Sequence, residues 1–291
     1  MKIVILGASG MIGHQLWRRL NAKYPDCVWG TVRKAKEHYE QFKFFNMKRL
    51  IGNIEASDFE KVKEVLNTVK PDIVLNCIGL TLRKKEMENV FLCLEVNGML
   101  PHRIDSWAKE NNSKLIHFST DCVFDGKIGS YSEFSAPSAR DLYGQTKYLG
   151  EVKHSESCLT IRVPVIGREI EGKTELIEWF LSQKNSKAKG FASVYYSGIT
   201  TIRLAYEIIT IIEKYPKLSG IIQISTNKIS KYNLLLLLDK YFDTNVELEV
   251  DNTIKSDKSL NADKYKQLTD FKAPSWEAMI KELAEDRDGY I

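Results

Sequence analysis

A glycine-rich turn near the start of the chain limits the possible folds more than any other feature. The heptapeptide Gly-Ala-Ser-Gly-Met-Ile-Gly at residues 7–13 follows a short apolar run, residues 2–6, and opens an amphipathic stretch, residues 11–23. Glycine lets the backbone turn tightly and come close to a pyrophosphate, and a helix N-terminus offers free N–H groups and a positive dipole end. The pattern predicts a strand, a turn and a helix that bind a dinucleotide, whereas a tight turn with no ligand is the alternative interpretation. The cofactor contacts that it predicts are Gly7, Ser9, Gly10, Met11, Ile12 and Gly13.

Short apolar runs then alternate with amphipathic stretches through the first half of the chain. The predicted strands are residues 2–6, 27–32, 73–77, 115–118 and 159–163, and the predicted helices are residues 11–23, 58–69, 89–111 and 142–154. Alternation at this spacing implies right-handed crossovers and a mostly parallel sheet with helices on both faces. Beyond Pro164 the predicted elements are helices at 174–183, 200–214, 230–242 and from Ser275, a strand at 221–224, a turn at 187–190 and a mixed polar stretch at 246–272. Since no linker is visible, the second part is expected to pack on the first.

The composition excludes several classes of protein. The chain has 291 residues, of which 43% are hydrophobic and 27% charged, so it can bury a full core and is neither disordered nor fibrous. The net charge of +4 is small and the charged residues are scattered, which argues against nucleic acid and membrane surfaces as partners. No apolar run suits a membrane helix or a signal peptide, and the five cysteines form no C-x-x-C pair. We therefore expect a cytoplasmic protein without a metal site or a disulfide framework.

The residues after the second predicted strand indicate which dinucleotide is bound. Residues 30–36 carry hydroxyl and basic groups, whereas a carboxylate at this point would hold the ribose 2′-OH of NAD. Arg33 and Lys34 suit the 2′-phosphate of NADP, so we predict NADPH as cofactor, with NADH as the alternative. A solvated basic loop is the alternative interpretation of these two residues. Further predicted cofactor contacts follow the next strands: Asn53, Ile54, Cys77, Ile78 and Gly79.

A tyrosine and a lysine four residues apart indicate the chemistry. Tyr143 and Lys147 would share one face of a helix, and Thr120 follows the strand predicted at 115–118, at the edge where open sheets bind ligands. Because a nearby ammonium favours the phenolate, we expect Lys147 to lower the pKa of Tyr143. Such a tyrosine can give a proton to a carbonyl oxygen as hydride reaches the carbon, and Thr120 would orient the same oxygen. We predict these three residues to be catalytic, with Tyr143 and Lys147 also contacting the cofactor; an exposed helix pair is the alternative.

At these residues the sequence resembles the extended short-chain dehydrogenase/reductase superfamily, and within it the dTDP-4-dehydrorhamnose reductase-like branch. The resemblance covers essentially the whole chain, but it is strong in residues 1–165 and thin beyond them. The features that carry it are the glycine turn at 7–13, the string Ser-Thr-Asp-Cys-Val-Phe-Asp-Gly at 119–126, Tyr143, Lys147, Asn97, Pro101, Arg162 and residues 274–276.

The resemblance implies a Rossmann-type, doubly wound parallel α/β sheet with a smaller C-terminal α/β substrate domain. The implied NAD(P)-binding domain spans residues 1–165, with 191–220 returning to it, and the implied substrate-binding domain comprises 166–190 and 221–291. The implied activity is the reduction of a 4-keto sugar linked to a nucleotide, and the implied assembly is a homodimer. Sugar-nucleotide 4,6-dehydratases place Glu where this chain has Cys122, so dehydration is disfavoured. Epimerases use the same Thr, Tyr and Lys set and stay open as an alternative.

The sequence is least informative about the substrate. The candidate contacts are Thr81, Arg83, Asp121, Cys122 and Lys189, although charged residues in such loops are more often ordinary surface groups. Residues 195–198 either line the site or form a strand edge. Our hypothesis is an NADPH-dependent reductase of a UDP- or dTDP-linked 4-keto-6-deoxyhexose, N-acetylated or not, that supplies precursors for surface polysaccharide. The alternatives are a sugar-nucleotide epimerase and a non-catalytic NADP-binding regulatory subunit.

Overall fold

The computed structural model describes residues 1–82, 85–172, 174–286 and 290. Its strands, in chain order, are β1 (Ile3–Leu6), β2 (Val28–Thr31), β3 (Leu50–Ile51), β4 (Ile73–Asn76), β5 (Lys114–Ser119), β6 (Cys158–Arg162), β7 (Val165–Ile166), β8 (Lys187–Phe191), β9 (Val194–Tyr196), β10 (Ile199–Thr200), β11 (Gly220–Gln223), β12 (Ile229–Ser230), β13 (Glu247–Asp251) and β14 (Ser256–Asp257). Its helices are α1 (Met11–Lys23), α2 (Phe59–Val69), α3 (Val90–Cys93), α4 (Leu100–Glu110), α5 (Leu142–Leu149), α6 (Leu176–Leu181), α7 (Thr201–Lys214), α8 (Lys231–Phe242), α9 (Asp263–Leu268) and α10 (Trp276–Glu285). None of the helices described is both long and apolar enough to cross a bilayer.

Seven strands form the central sheet in the order β3-β2-β1-β4-β5-β6-β11. Each neighbouring pair runs parallel. The strand order reverses between β1 and β4, so the crossovers leave a crevice beyond the carboxyl ends of these two strands, where open α/β sheets bind their ligands. The prediction of a Rossmann-type, doubly wound α/β fold is confirmed.

Both faces of the sheet are covered by helices, which explains why its strands read as continuous apolar runs. Side chains alternate along β1: Ile3 and Ile5 join the core cluster that contains Leu16 and Trp17 of α1. Val4 and Leu6 point the other way and join the cluster formed with α2 and α4, whose buried members include Val62, Leu66, Ile104 and Trp107. The same alternation therefore fixes α1 on one face and α2 with α4 on the other.

The second half of the chain forms three small sheets, β10–β7, β12–β9–β14 and β13–β8. The turn predicted at 187–190 is wrong, because these residues lie in β8, which pairs in parallel with β13 about sixty residues later in the sequence. The division into two domains stays a prediction, with one correction: β11, placed in the second domain, is an edge strand of the main sheet. One core cluster contains Ile161 of β6 together with Phe180 of α6 and Leu234 of α8, so the two halves of the chain share a continuous interior.

The long helix predicted at 89–111 is interrupted. A π-helical turn, Leu94–Met99, separates α3 from α4, and Pro101 stands in the first turn of α4. Proline has no N–H to donate to the preceding turn, which favours this local widening. The helix predicted at 142–154 ends at Leu149, where a Cβ on Gly150 would overlap the carbonyl oxygen of Asn97. The π turn and the end of α5 are thus packed directly against each other.

Candidate active site

The glycine turn closes on itself at the carboxyl end of β1. Gly7 has a φ of +80°, and a Cβ on Gly13 would overlap the carbonyl oxygen of Gly7, so side chains are excluded at both positions. Gly10 is the N-cap of α1 and offers no side chain to its first N–H groups. The turn is anchored from β2, since Thr31 Oγ1 accepts a hydrogen bond of 3.2 Å from the Gly7 N–H. This leaves the N-terminus of α1 open to an anionic ligand.

The end of β4 lies directly beside this turn. A Cβ on Gly7 would come within 3.0 Å of Ile78 Cγ1, which places Ile78 against the glycine turn. Asn97, in the π turn, fixes the next segment through its Oδ1, which accepts from the Leu80 N–H at 2.9 Å, and its Nδ2, which donates to the Leu80 carbonyl at 3.1 Å. A Cβ on Gly79 would lie 3.9 Å from Lys147 Nζ. The predicted cofactor contacts after β4 and the predicted catalytic lysine therefore border one crevice.

Thr120, Tyr143 and Lys147 converge in the structure. Thr120 follows β5 and is buried, and its hydroxyl donates to Asp121 Oδ1 at 3.0 Å and accepts from the Cys122 N–H at 3.1 Å. The same hydroxyl lies close enough to the phenol of Tyr143 in α5 to affect its ionisation. One turn further along α5, the buried Lys147 ammonium donates to the Phe118 carbonyl of β5 at 2.7 Å. The three residues thus stand at the carboxyl edge of β5.

The electrostatics of the pair differ from the sequence-based expectation. Burial raises the pKa of Tyr143 above its ordinary value, and the nearby Thr120 hydroxyl only partly opposes this. Burial lowers the pKa of Lys147 to about 8, because desolvation disfavours the ammonium more than the nearby Glu151 favours it. The expectation of a lowered pKa for Tyr143 is therefore wrong: desolvation outweighs any stabilisation of the phenolate by the Lys147 ammonium, which donates to a backbone carbonyl. Near neutral pH the phenol is protonated and is a proton donor.

A buried ion pair supports the floor of this site. Arg162, the last residue of β6, binds Glu151 in two places, with Nε to Oε1 at 2.7 Å and Nη2 to Oε2 at 2.8 Å. Ser119 at the end of β5 donates to the same carboxylate at 2.8 Å. Both charged side chains are inaccessible, at 2% and 0% exposure. The pair therefore ties the segment after α5 to the ends of β5 and β6, beside Lys147.

The predicted 2′-phosphate residues carry carboxylate partners. Arg33 Nη1 lies 3.2 Å from Glu86 Oε1, and Lys34 Nζ lies 2.9 Å from Glu171 Oε1. Asn53, with a φ of +61°, donates its N–H to the Lys34 carbonyl at 3.0 Å. Asn53 is thus held beside the basic pair, and its contact with the cofactor stays a prediction.

The predicted substrate contacts are scattered over a wider area. Asp121 and Cys122 adjoin Thr120. Burial raises the pKa of Asp121, and it raises that of Cys122 to about 12, so the Cys122 thiol is not a ready nucleophile. Thr81 donates to Glu175 Oε1 at 3.1 Å. Arg83 lies outside the described residues. Lys189 reaches a cavity of about 410 Å³ whose lining residues are Thr174, Leu176, Trp179, Lys189, Phe191, Lys231 and Leu235.

Three residues near the catalytic group were not singled out from the sequence, or only as part of a segment. Glu175 and Tyr196 lie close enough to Tyr143 for their charges to interact with it, and Lys258 lies close to Asp121. The first two residues of the segment 195–198 differ in exposure: Tyr195 is 36% exposed, whereas the Tyr196 hydroxyl is buried. All three come from the second half of the chain, where no local motif marked them.

Comparison with known proteins places these features in a family. Residues 1–189 match the family model described as RmlD substrate binding domain. The β subunit of methionine adenosyltransferase 2 from Danio rerio is 26% identical over 174 residues, covering 58% of this chain and 49% of the relative. A probable low-salt glycan biosynthesis reductase from Haloferax volcanii is 29% identical over 152 residues, covering 52% of this chain and 48% of the relative. This chain therefore matches about half the length of these curated relatives.

Structural similarity extends further than sequence similarity. The crystal structure of dTDP-4-dehydrorhamnose reductase from Bacillus anthracis in complex with NADP has a TM-score of 0.80 and 20% identity, with 97% of this chain and 99% of that chain covered. The resemblance to the dTDP-4-dehydrorhamnose reductase-like branch is confirmed, since the family model covers more than half of the chain. The chain belongs to the family described by the RmlD substrate binding domain.

Proposed function

We propose that this protein is an NADPH-dependent reductase of the 4-keto group of a UDP- or dTDP-linked 4-keto-6-deoxyhexose, which supplies an activated deoxysugar for surface polysaccharide. The observation that carries the proposal is the convergence of Thr120, Tyr143 and Lys147 next to the glycine turn at 7–13. A hydride acceptor at this point would touch both a proton donor and the dinucleotide crevice.

The crevice fits a dinucleotide on its own geometry. The backbone is packed so closely at Gly7 and Gly13 that neither position has room for a side chain. Gly10 has no side chain to cap the first N–H groups of α1, so these groups are free to bind a phosphate. Arg33 and Lys34 would hold a 2′-phosphate after exchanging their carboxylate partners for it. NADPH, when bound, supplies the hydride.

The reduction needs one proton, and in this proposal Tyr143 gives it. Its phenol is protonated at neutral pH because burial raises its pKa, so it donates to the carbonyl oxygen as the oxygen gains charge. The Thr120 hydroxyl, which donates to Asp121 in the structure, would turn its proton to the same oxygen and orient it. Lys147 in its charged form stabilises the tyrosinate that is left. The protein thus positions and polarises the substrate.

The second half of the chain supports a nucleotide-sugar substrate. The cavity of about 410 Å³ carries the aromatic side chains of Trp179 and Phe191 and the ammonium of Lys189, groups that suit a nucleotide base and a diphosphate. Thr174 and Leu176, which also line it, flank Glu175 beside the catalytic group. A substrate could therefore extend from this cavity to Tyr143.

The direct experiment is a panel of UDP- and dTDP-linked 4-keto-6-deoxy sugars, with and without an N-acetyl group, assayed by loss of NADPH absorbance. We expect turnover with at least one member. Tyr143→Phe should abolish that turnover and bind NADPH with nearly unchanged affinity, because only the proton donor is removed. A variant that keeps most of its rate contradicts the mechanism.

The cofactor preference has a separate test. The double variant Arg33→Ala/Lys34→Ala should weaken NADPH binding by roughly tenfold or more, since two cations facing a phosphate are lost. NADH binding should change little, because NADH has no 2′-phosphate. Fluorescence titration of both cofactors checks this, and an equal loss for the two cofactors contradicts the assignment of these residues.

A regulatory subunit is the second candidate, favoured by the similarity to the β subunits of methionine adenosyltransferase 2. Against it, Tyr143 and Lys147 are both present and converge with Thr120. Binding of NADPH without turnover of any keto sugar would support this candidate. An epimerase would instead purify with bound cofactor and consume no added NADPH.

We also propose that the protein is a homodimer. Apolar side chains are exposed on α3, on the π turn and at the end of α5, with Phe91 at 85% and Leu149 at 53% exposure. α3 and the π turn pack on α5, the helix that carries Tyr143 and Lys147, so a second copy bound there would stabilise the site.

A further inference from the structure

Tyr196 presents a polar atom that the fold itself does not use. Its hydroxyl oxygen is inaccessible to solvent, and among the described residues it has no hydrogen-bond partner. Buried tyrosine hydroxyls are normally paired, because an unpaired polar group in the interior costs free energy. An exception of this kind points to a missing partner.

The ring of Tyr196 is held firmly in place. It lies in β9, where it pairs with Ile229 of β12, and its ring packs on that of Trp276 with centroids 5.5 Å apart. A Cβ on Gly198 would overlap the Tyr196 ring, so glycine there leaves space for it. The hydroxyl therefore has a fixed direction and is not a mobile surface group.

Tyr196 lies close to the catalytic group. Its neighbour Tyr195 is in register with Asp257 of β14, whose N–H donates at 2.7 Å to the carbonyl of Gly126, in the segment that follows Thr120. Burial, together with the charges of Asp121, Cys122, Glu175 and Tyr143, holds the pKa of Tyr196 well above the ordinary value. Tyr196 therefore stays protonated and can donate a hydrogen bond. Glu175, which accepts from the Thr81 hydroxyl, supplies a carboxylate on the same side of the site.

We propose that Tyr196 is a substrate-binding residue whose hydroxyl donates a hydrogen bond to an oxygen of the hexose ring held beside Tyr143. Because the hydroxyl is covered in the structure, a neighbouring side chain moves aside as the hexose binds. The inference rests on the proposed function, because it takes the hexose of a nucleotide sugar as the ligand. Two features of the geometry support it. The donor is fixed by β9, Trp276 and Gly198, and no other acceptor is present among the described residues. A site built in this way discriminates against ligands that lack the matching oxygen.

The substitution Tyr196→Phe separates this role from a structural one. It removes only the hydroxyl and leaves the ring packed on Trp276. If the hydroxyl served stability, its loss would lower the melting temperature. Because the hydroxyl is unpaired within the fold, we expect an equal or higher melting temperature together with a loss of about tenfold in kcat/KM for the keto sugar. Tyr195→Phe is the matched control, since Tyr195 is adjacent and 36% exposed. It should leave kcat/KM unchanged.

A binding measurement makes the test independent of turnover. The protein loaded with NADP⁺ is titrated calorimetrically with dTDP and dTDP-glucose, and with UDP and UDP-glucose, none of which accepts hydride. For the preferred nucleotide we expect the hexose to increase the affinity of the wild type. Tyr196→Phe should remove most of that increase, and Tyr195→Phe should keep it.

The outcomes for the two proposals are distinct. Absence of turnover with every keto sugar overturns the proposed function, while a hexose-dependent affinity that Tyr196→Phe abolishes still supports the inference. Wild-type affinity that does not depend on the hexose overturns the inference. So does a Tyr196→Phe variant with wild-type kcat/KM and wild-type hexose dependence, or one whose only change is a lower melting temperature.

Discussion

Burial acts in opposite directions on the two titratable groups of the catalytic helix. It raises the pKa of Tyr143, because the phenolate would be desolvated, and lowers the pKa of Lys147 to about 8, because the ammonium is desolvated. The phenol is therefore a stable proton donor, whereas the charge on the lysine is lost within the range of an ordinary pH profile. Lys147 is the group whose ionisation should be visible in the kinetics.

The pH profile of kcat/KM follows from this. The folded-state pKa of Lys147 is below its ordinary value, so its positive charge is present below pH about 8 and disappears as the pH rises through that value. If the charge stabilises the tyrosinate, kcat/KM should fall by about tenfold per pH unit above this point. Lys147→Arg keeps a charge at all these pH values, so its profile should stay flat, at a lower overall rate. A wild-type profile that is level through pH about 9 contradicts the role of the lysine charge.

The sequence predicts those site residues that are recognisable from their local spacing. The glycine turn and the Tyr143/Lys147 pair are each recognisable from a spacing of a few residues. In a strand-turn-helix unit and in one turn of a helix, such a spacing determines which residues lie close together. The pKa of Tyr143 was not predictable in the same way, because its direction depends on burial from every side. Tyr196 and Glu175 reach the site by long-range packing and carry no local pattern.

At the scale of elements, the ends of β5, β6 and α5 are joined by one buried ion pair. Glu151 and Arg162 share two hydrogen bonds, and Ser119 adds a third to the carboxylate. Glu151 also favours the charged form of Lys147. The pair thus joins the sheet edge to the end of the catalytic helix by hydrogen bonds, and its carboxylate also affects the charge of Lys147.

Breaking this pair should be costly. Arg162→Met leaves the Glu151 carboxylate buried without its counter-ion, which we expect to destabilise the fold by about 3–5 kcal/mol. The melting temperature should fall on the order of 10 °C for a chain of this size. Arg162→Met/Glu151→Leu removes both charges and should recover much of the loss. Urea unfolding of the single and double variants checks this, and a single variant as stable as the wild type contradicts it.

Elements with local signals were predicted more accurately than those that depend on a distant partner. The helix at 11–23 has the predicted bounds, since its apolar spacing and glycine N-terminus are local. The local sequence predicts a turn where β8 lies, because the pairing of β8 with β13 depends on residues about sixty positions away. The sequence also does not predict the π turn before α4, because the apolar periodicity continues through it. Its effect is visible only in the structure, where Asn97 of the π turn accepts a hydrogen bond from the Leu80 N–H.

At the scale of the whole molecule, one group of exposed apolar side chains lies at the catalytic helix and the elements packed on it. Val90 and Phe91 of α3, Met99 of the π turn and Leu149 of α5 are each about half exposed or more. A Cβ on Gly98 would lie 3.7 Å from Leu149 Cβ, so the π turn and α5 present one continuous surface. Self-association through a single patch is isologous, which is the commonest symmetry of soluble dimers.

Sedimentation velocity should therefore show a dimer at micromolar concentrations. Phe91→Glu places a charge in the centre of this patch and should shift the protein to a monomer, because a carboxylate cannot be desolvated there without a partner. Phe134→Glu is the matched control, since Phe134 is 90% exposed in the loop before α5 and outside the patch. It should leave the dimer intact. A wild-type monomer, or equal disruption by both variants, contradicts this interface. Since α5 carries Tyr143 and Lys147, the monomeric variant should also lose part of its turnover while its NADPH affinity changes less.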